Sequence, residues 1–138
     1  MTMIHDLWIM RENGIVLYQK CSGDVINGDL FGGFMSAINS VAALMSNSDI
    51  QSMIMGNKKL SMIKRHGILF IAFHDKRDRE SKVDKKLVEL SRLFFKQYTP
   101  DMLENWQGNT EIFTTLNKEI DNIFMTYDEI AKQIFNAL

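Results

Sequence analysis

Few side chains in this sequence could do covalent or proton chemistry: three histidines, one cysteine and two carboxyl-rich stretches. His74 beside Asp75 has the composition of a proton-transfer pair, an imidazole with a carboxylate to stabilise its charge. Cys21 is the one candidate nucleophile. Spacing argues against both roles. Adjacent residues on an extended chain point to opposite faces, so His74 and Asp75 do not share a reacting atom. Cys21 follows an apolar run and reads as a half-buried small hydrophobe. Cys21, His5, His66 and His74 form no spaced ligand set for a metal. Gly28, Gly32 and Gly33 match neither a phosphate-cradling loop ending in Gly-Lys-Ser/Thr nor a dinucleotide fingerprint. No catalytic residue, cofactor site or metal site is expected, and the chain is not expected to be an enzyme.

Charge is the second source of function. The formal net charge is -1, from 16 basic and 17 acidic residues, which argues against a nucleic-acid binder. The signs are nevertheless segregated: residues 1–57 carry a net -3, residues 58–99 a net +7 and residues 100–138 a net -5. Lys58, Lys59, Lys64 and Arg65 cluster at predicted turns. Lys76, Arg77, Arg79, Lys82, Lys85 and Lys86 gather near the start of a predicted helix, interleaved with Asp75, Asp78, Glu80 and Asp84. Two readings stay open. Either these residues form solvated loops with local ion pairs, or they form a docking face for an acidic partner or anionic lipid headgroups.

The elements that must position these residues follow from periodicity. Leu7–Met10 and Ile15–Tyr18 flank Asn13-Gly14, which predicts a β-hairpin with a type I′ turn. Asp29 can cap a helix in which Leu30, Phe31, Phe34, Met35, Ile38, Val41, Ala42 and Met45 recur at helical spacing. Gly32 and Gly33 near its start either admit a close backbone or fray the helix. Three short strands follow, Gln51–Met55, Lys59–Ile63 and Ile68–Phe73. The last does not alternate and so is expected to be covered on both faces. Ser81 with Asp84 suggests a capped helix carrying Val83, Leu87, Leu90, Phe94 and Tyr98, stopped at Thr99-Pro100. From Thr110, a heptad-like stripe through Phe113, Leu116, Ile120, Ile123, Tyr127, Ile130, Ile134 and Ala137 predicts a helix of about 28 residues, about 42 Å long. The ten methionines are expected mainly as core fillers.

The order β-β-α-β-β-β-α-α is neither doubly wound nor all-β. Ile4-His5-Asp6-Leu7-Trp8-Ile9-Met10 followed by Gly14-Ile15-Val16-Leu17-Tyr18 resembles the opening hairpin of longin-like domains. These are the modules of longin SNAREs, clathrin-adaptor small subunits and sedlin-type TRAPP subunits, with roadblock proteins as close relatives. His66–Phe73 resembles the last strand of that family. Val83–Tyr98 and Ile112–Phe124 resemble its paired C-terminal helices, including Phe94-Phe95 near the end of the first. The resemblance implies an α+β fold: a five-stranded antiparallel sheet in the order 2-1-5-4-3, one helix on one face and two on the other.

It further implies a non-enzymatic interaction domain, a scaffold or regulatory subunit acting with a small GTPase or in membrane trafficking. No SNARE heptad segment is read after Tyr127. Residues 1–138 are expected to form a single domain with 127–138 as a helical extension, cytoplasmic or peripheral to endomembranes. The expected partner-binding residues are Lys58, Lys59, Lys64, Arg65, Lys76, Arg77, Arg79, Tyr127, Ile130, Ile134 and Leu138, with a homodimer or contact with an anionic membrane left open. The alternatives are a sensor domain of related αβ fold that holds a small ligand between sheet and helix, and a peripheral module that binds anionic lipid through the basic turns.

Overall fold

The computed structural model describes residues 2–21, 28–46 and 50–137. Strand β1 (Thr2–Ile4) leads into β2 (Asp6–Arg11), which turns back as β3 (Val16–Cys21). The turn is not the expected type I′. The Gly14 N–H donates to the Arg11 carbonyl at 3.0 Å, the Arg11 N–H donates to the Ile15 carbonyl at 2.9 Å, and of Asn13 and Gly14 only the glycine has positive φ, at +96°. That is a three-residue loop, a type I turn closed by a left-handed glycine. The pair of left-handed residues that a type I′ turn needs lies instead at His66 (φ 50°) and Gly67 (φ 75°).

Helix α1 (Gly28–Ser46) follows, and Asp29 stands in its first turn, not at its cap. Gly32 meets the hairpin directly. A Cβ there would lie 1.8 Å from the Gly14 carbonyl oxygen, whereas one on Gly33 would find nothing within 4 Å. The close approach anticipated for the two glycines therefore belongs to Gly32 alone. Strands β4 (Ser52–Met55), β5 (Lys58–Arg65) and β6 (Ile68–Asp75) complete an antiparallel sheet of order β3-β2-β6-β5-β4. This is the expected order once the extra first strand is counted. Strands β2 and β6 are central, and Ile68–Ala72 is buried throughout.

Strand alternation splits the core into two layers. Leu7, Ile9, Phe70 and Ala72 point to one face. They meet α2 (Glu80–Gln97), the 3-10 helix (Thr110–Leu116) and α4 (Asn117–Ile123) through Val83, Leu87, Leu90, Phe94, Phe113 and Ile120. Trp8, Met10, Leu60, Met62, Leu69 and Ile71 point to the other face and meet α1 through Met35 and Phe31. Helix α2 starts one residue before Ser81, with Arg79 as N-cap and no side-chain cap, so the expected Ser81–Asp84 capping box does not form. Thr99 caps α3 (Pro100–Glu104), where the only proline takes the first turn as expected.

The single long C-terminal helix is also corrected. The stripe is cut at β7 (Phe124–Thr126), which pairs in parallel with β1 in the register Thr2↔Phe124, Met3↔Met125 and Ile4↔Thr126. A new helix α5 (Tyr127–Ala137) then begins. The N-terminal strand offers Phe124–Thr126 an extended partner, and the next helix has its own start signal. The Thr126 hydroxyl oxygen accepts from the Glu129 N–H, and the Glu129 carboxylate accepts from the Thr126 N–H, each at 3.3 Å. This is a reciprocal capping box.

Candidate functional site

The residues with reactive side chains are placed as structural groups. The His74 ring nitrogens meet Ser61 Oγ at 2.8 Å and the Asp75 carbonyl at 2.9 Å, and Asp78 stands 3.6 Å from Nδ1. The order Ser61–His74–Asp78 has the connectivity of a hydrolase triad, but Ser61 and His74 are both at 0% exposure under α2, so no substrate reaches the hydroxyl. The Asp75 carboxylate turns the other way, onto the Arg77 guanidinium at 3.1 Å, which holds its pKa down at about 2. Cys21 is half-buried and accepts from Gln19 Nε2. Burial pushes its thiol up to about 11. Among the described residues, no group of three or more His, Cys, Asp or Glu could hold a metal ion.

The basic residues are divided between the two ends of the sheet. Lys58 and Lys59 begin β5, while Lys64 and Arg65 end it, roughly 20 Å away at strand rise. Lys76, Arg77 and Arg79 join the Lys58 end, where the Lys76 N–H donates to the Asn57 carbonyl. Several of these cations are paired: Lys59 with Glu80 at 2.7 Å, Lys64 with Glu12 at 2.9 Å, and Arg77 with Asp75. Arg65, Lys76 and Arg79 are exposed.

At the C-terminus, Tyr127 stacks on His5 with ring centroids 4.3 Å apart, and burial raises its pKa. Ile130 is half-buried and Ile134 is 60% exposed; Leu138 lies outside the described residues. The acidic tail is drawn onto its own sheet. The Lys20 ammonium, nearly buried, lies 2.6 Å from both Asp121 and Glu129. Its burial would lower the lysine pKa, but the hydrogen bonds to the two carboxylates outweigh this and raise it.

A further surface lies over α1, made of side chains whose spacing predicts a core position. Sequence periodicity assigns Leu30, Phe34, Val41 and Met45 to a core face, yet α1 buries only Gly32 and Met35. Leu30 is 71%, Leu44 88% and Met45 83% exposed, and Phe34 and Val41 are exposed as well. Beside this helix lies the edge strand β4, whose exposed Met55 is on the same side of the sheet. Between helix and sheet opens a cavity of about 390 Å³, lined by Asp6, Trp8, Leu30, Phe34, Met55 and Phe73. A second hollow of about 520 Å³ runs along Phe34, Ile38, Val41, Met45 and Ile50. A signal for this surface was present in the sequence: α1 holds one charged residue, Asp29, in 19 positions. A helix that is apolar all round needs cover on more than one side.

No family model matches the chain, and no curated protein matches it. Solved structures do. A Roadblock/LC7 domain from Streptomyces avermitilis superposes with a TM-score of 0.53 at 12% identity, over 67% of this chain and 86% of that one. MglB from Myxococcus xanthus gives 0.51 at 14% identity, over 67% and 85%. The gliding protein MglB from Thermus thermophilus gives 0.51 at 12% identity, over 59% and 67%. The chain has a roadblock/longin-type fold. Within this fold charged and paired groups lie around α2 and at the sheet ends, and among the described residues the longest run of exposed apolar side chains lies on α1, beside Met55 of β4.

Proposed function

We propose that this chain is a non-enzymatic interaction domain, a scaffold or regulatory subunit acting with a small GTPase or in a trafficking complex, and that it binds through the α1/β4 face. The observation that carries this reading is the apolar surface of Leu30, Phe34, Val41, Leu44 and Met45 beside the exposed edge of β4. Monomeric soluble proteins rarely leave a contiguous apolar patch of this kind uncovered. An edge strand adds a row of backbone donors and acceptors that another chain can pair with. The GTPase element comes from the longin/roadblock resemblance. Homodimerisation through the same face is part of the proposal, and so is a cytoplasmic location; no helix among the described residues is long and apolar enough to cross a membrane.

The test combines light scattering after gel filtration with pulldowns against small GTPases in both nucleotide states, for the wild type and for Val41→Glu/Leu44→Glu. Both substituted positions are solvent-exposed, so the variant should fold. A wild type that self-associates or binds a GTPase, with loss in the variant, supports the reading. A monomeric wild type that binds no GTPase in either state removes it.

The cavity over Trp8 favours a second reading, a small apolar ligand held between sheet and α1, with Asp6 as the polar lining. Native mass spectrometry of the purified protein tests it, and a mass equal to the bare chain counts against it.

A further inference from the structure

The outer face of α2 carries a different kind of surface from α1, and we infer that it is a docking face for an anionic lipid bilayer. The helix buries Val83, Leu87, Leu90, Ser91 and Phe94 against the sheet. On the opposite side, Lys82, Lys85, Arg92 and Lys96 are all exposed. At 100° per residue these four positions fall within an arc of roughly 80°, and they span roughly 21 Å along the helix. They form one straight line of cations aimed away from the protein.

The neighbouring carboxylates do not neutralise it. Glu89 is the one acid on the arc, and it is engaged by Lys86 at 3.5 Å. Glu80 is taken by Lys59, Glu119 accepts from Gln97, and Asp121 and Glu129 are taken by Lys20. Among the described residues, none of the four stripe cations is drawn into an ion pair.

The chemistry of the stripe selects a membrane over an acidic protein. A stable protein interface needs a desolvated centre with aromatic or aliphatic anchors, and this arc holds no apolar side chain. A leaflet rich in anionic headgroups needs only a flat set of cations within a Debye length of its surface. Topology agrees, because α1 and α2 lie on opposite faces of the sheet. A chain laid on a bilayer through α2 presents the α1/β4 face outward, free for a protein partner. This inference does not depend on what binds α1.

The experiment is co-sedimentation of the full chain with phosphatidylcholine vesicles containing about 30% phosphatidylserine, at about 50 mM and about 500 mM salt. The variant Lys82→Gln/Lys85→Gln/Arg92→Gln removes three cations from the stripe. The control Arg65→Gln/Lys118→Gln/Lys132→Gln removes three exposed cations elsewhere, for the same net charge. Each cation near an anionic leaflet is worth about fivefold in partitioning, so the stripe variant should bind about a hundredfold more weakly, and the control should stay within about fivefold of wild type. Far-ultraviolet circular dichroism of each variant confirms the fold. Equal losses in variant and control, binding that survives high salt, or no binding at low salt would each overturn the assignment. Stripe-dependent binding to a poly-glutamate peptide without binding to vesicles would also overturn it, and would reassign the stripe to an acidic protein.

Discussion

The contact between Gly32 and Gly14 allows a paired test in which one substitution is made at two adjacent sites. A Cβ at Gly32 would sit 1.8 Å from the Gly14 carbonyl oxygen and 2.8 Å from its carbonyl carbon; at Gly33 it would meet nothing within 4 Å. Both residues lie in the same stretch of α1, so the helix-propensity gain of Gly→Ala, about 1 kcal/mol, is common to both. At Gly33 that gain is the whole effect. At Gly32 the helix must lift from the hairpin by about 1.5 Å, an overpacking that costs about 2–4 kcal/mol against the same gain. The lift also disturbs the Phe31 ring stacked at 4.0 Å on Trp8 and the fully buried Met35. Gly33→Ala should therefore raise the melting temperature by about 2–4 °C and Gly32→Ala lower it by about 5–10 °C. Near-ultraviolet circular dichroism should change only in the second. The readout is thermal and urea unfolding with both variants on the same buffer and scan rate. Shifts of the same sign and similar size in the two variants would refute the reasoning, because a common propensity effect would then explain both.

Three further outcomes follow from other contacts. Tyr18 donates to Asn117 Oδ1 at 2.7 Å, and burial, then the Asp121 and Glu129 carboxylates, push its pKa up to about 12. The folded state keeps a proton there that the unfolded chain gives up near pH 10, so this contribution, about 2–3 kcal/mol, is intact below pH 10 and lost between about pH 10 and 12. Urea midpoints of the wild type should fall over that window and those of Tyr18→Phe should fall less; equal slopes would contradict the assignment. The Cys21 thiol, pushed up to about 11 by burial, should react with iodoacetamide at pH 8 about a hundredfold more slowly than a free thiol. A rate matching that of the urea-unfolded chain would show that the thiol is not shielded. Thr126→Ala removes one half of the capping box and should cost about 1 kcal/mol, localised as faster amide exchange in residues 127–137 with the sheet amides unchanged. Uniformly faster exchange would mean that the cap stabilises the whole fold.

The sheet was legible from sequence because its signals are local. Ile68–Ala72 carries no alternation, and it is a central strand buried on both faces. Asn13-Gly14 marked a hairpin correctly and its turn type wrongly, since Arg11 pairs with Ile15, Glu12 joins the loop, and only Gly14 has positive φ. The C-terminal stripe failed for a different reason. Ile120, Ile123, Tyr127 and Ile130 keep helical spacing across β7, and only the pairing with β1, more than 100 residues away, makes Phe124–Thr126 extended. Thr126 and Glu129 held the local signal of a restart. The exposure of the α1 side chains was hidden by the same logic. Periodicity reports which residues are apolar, and it cannot report whether the protein has a second layer to cover them.

Separation of the two helices by surface chemistry is what the net charge of -1 conceals. In α1, 19 residues include one charge; in α2, Lys82, Lys85, Arg92 and Lys96 line the outer face. The sheet lies between them, so contacts on one side leave the other unobstructed. Apolar docking on α1 is insensitive to salt, whereas cation docking on α2 weakens steeply as salt rises. Raising ionic strength should therefore release the α2 contact while leaving the α1 contact in place. Only a surface divided in this way predicts that one condition separates two bound states of the same chain.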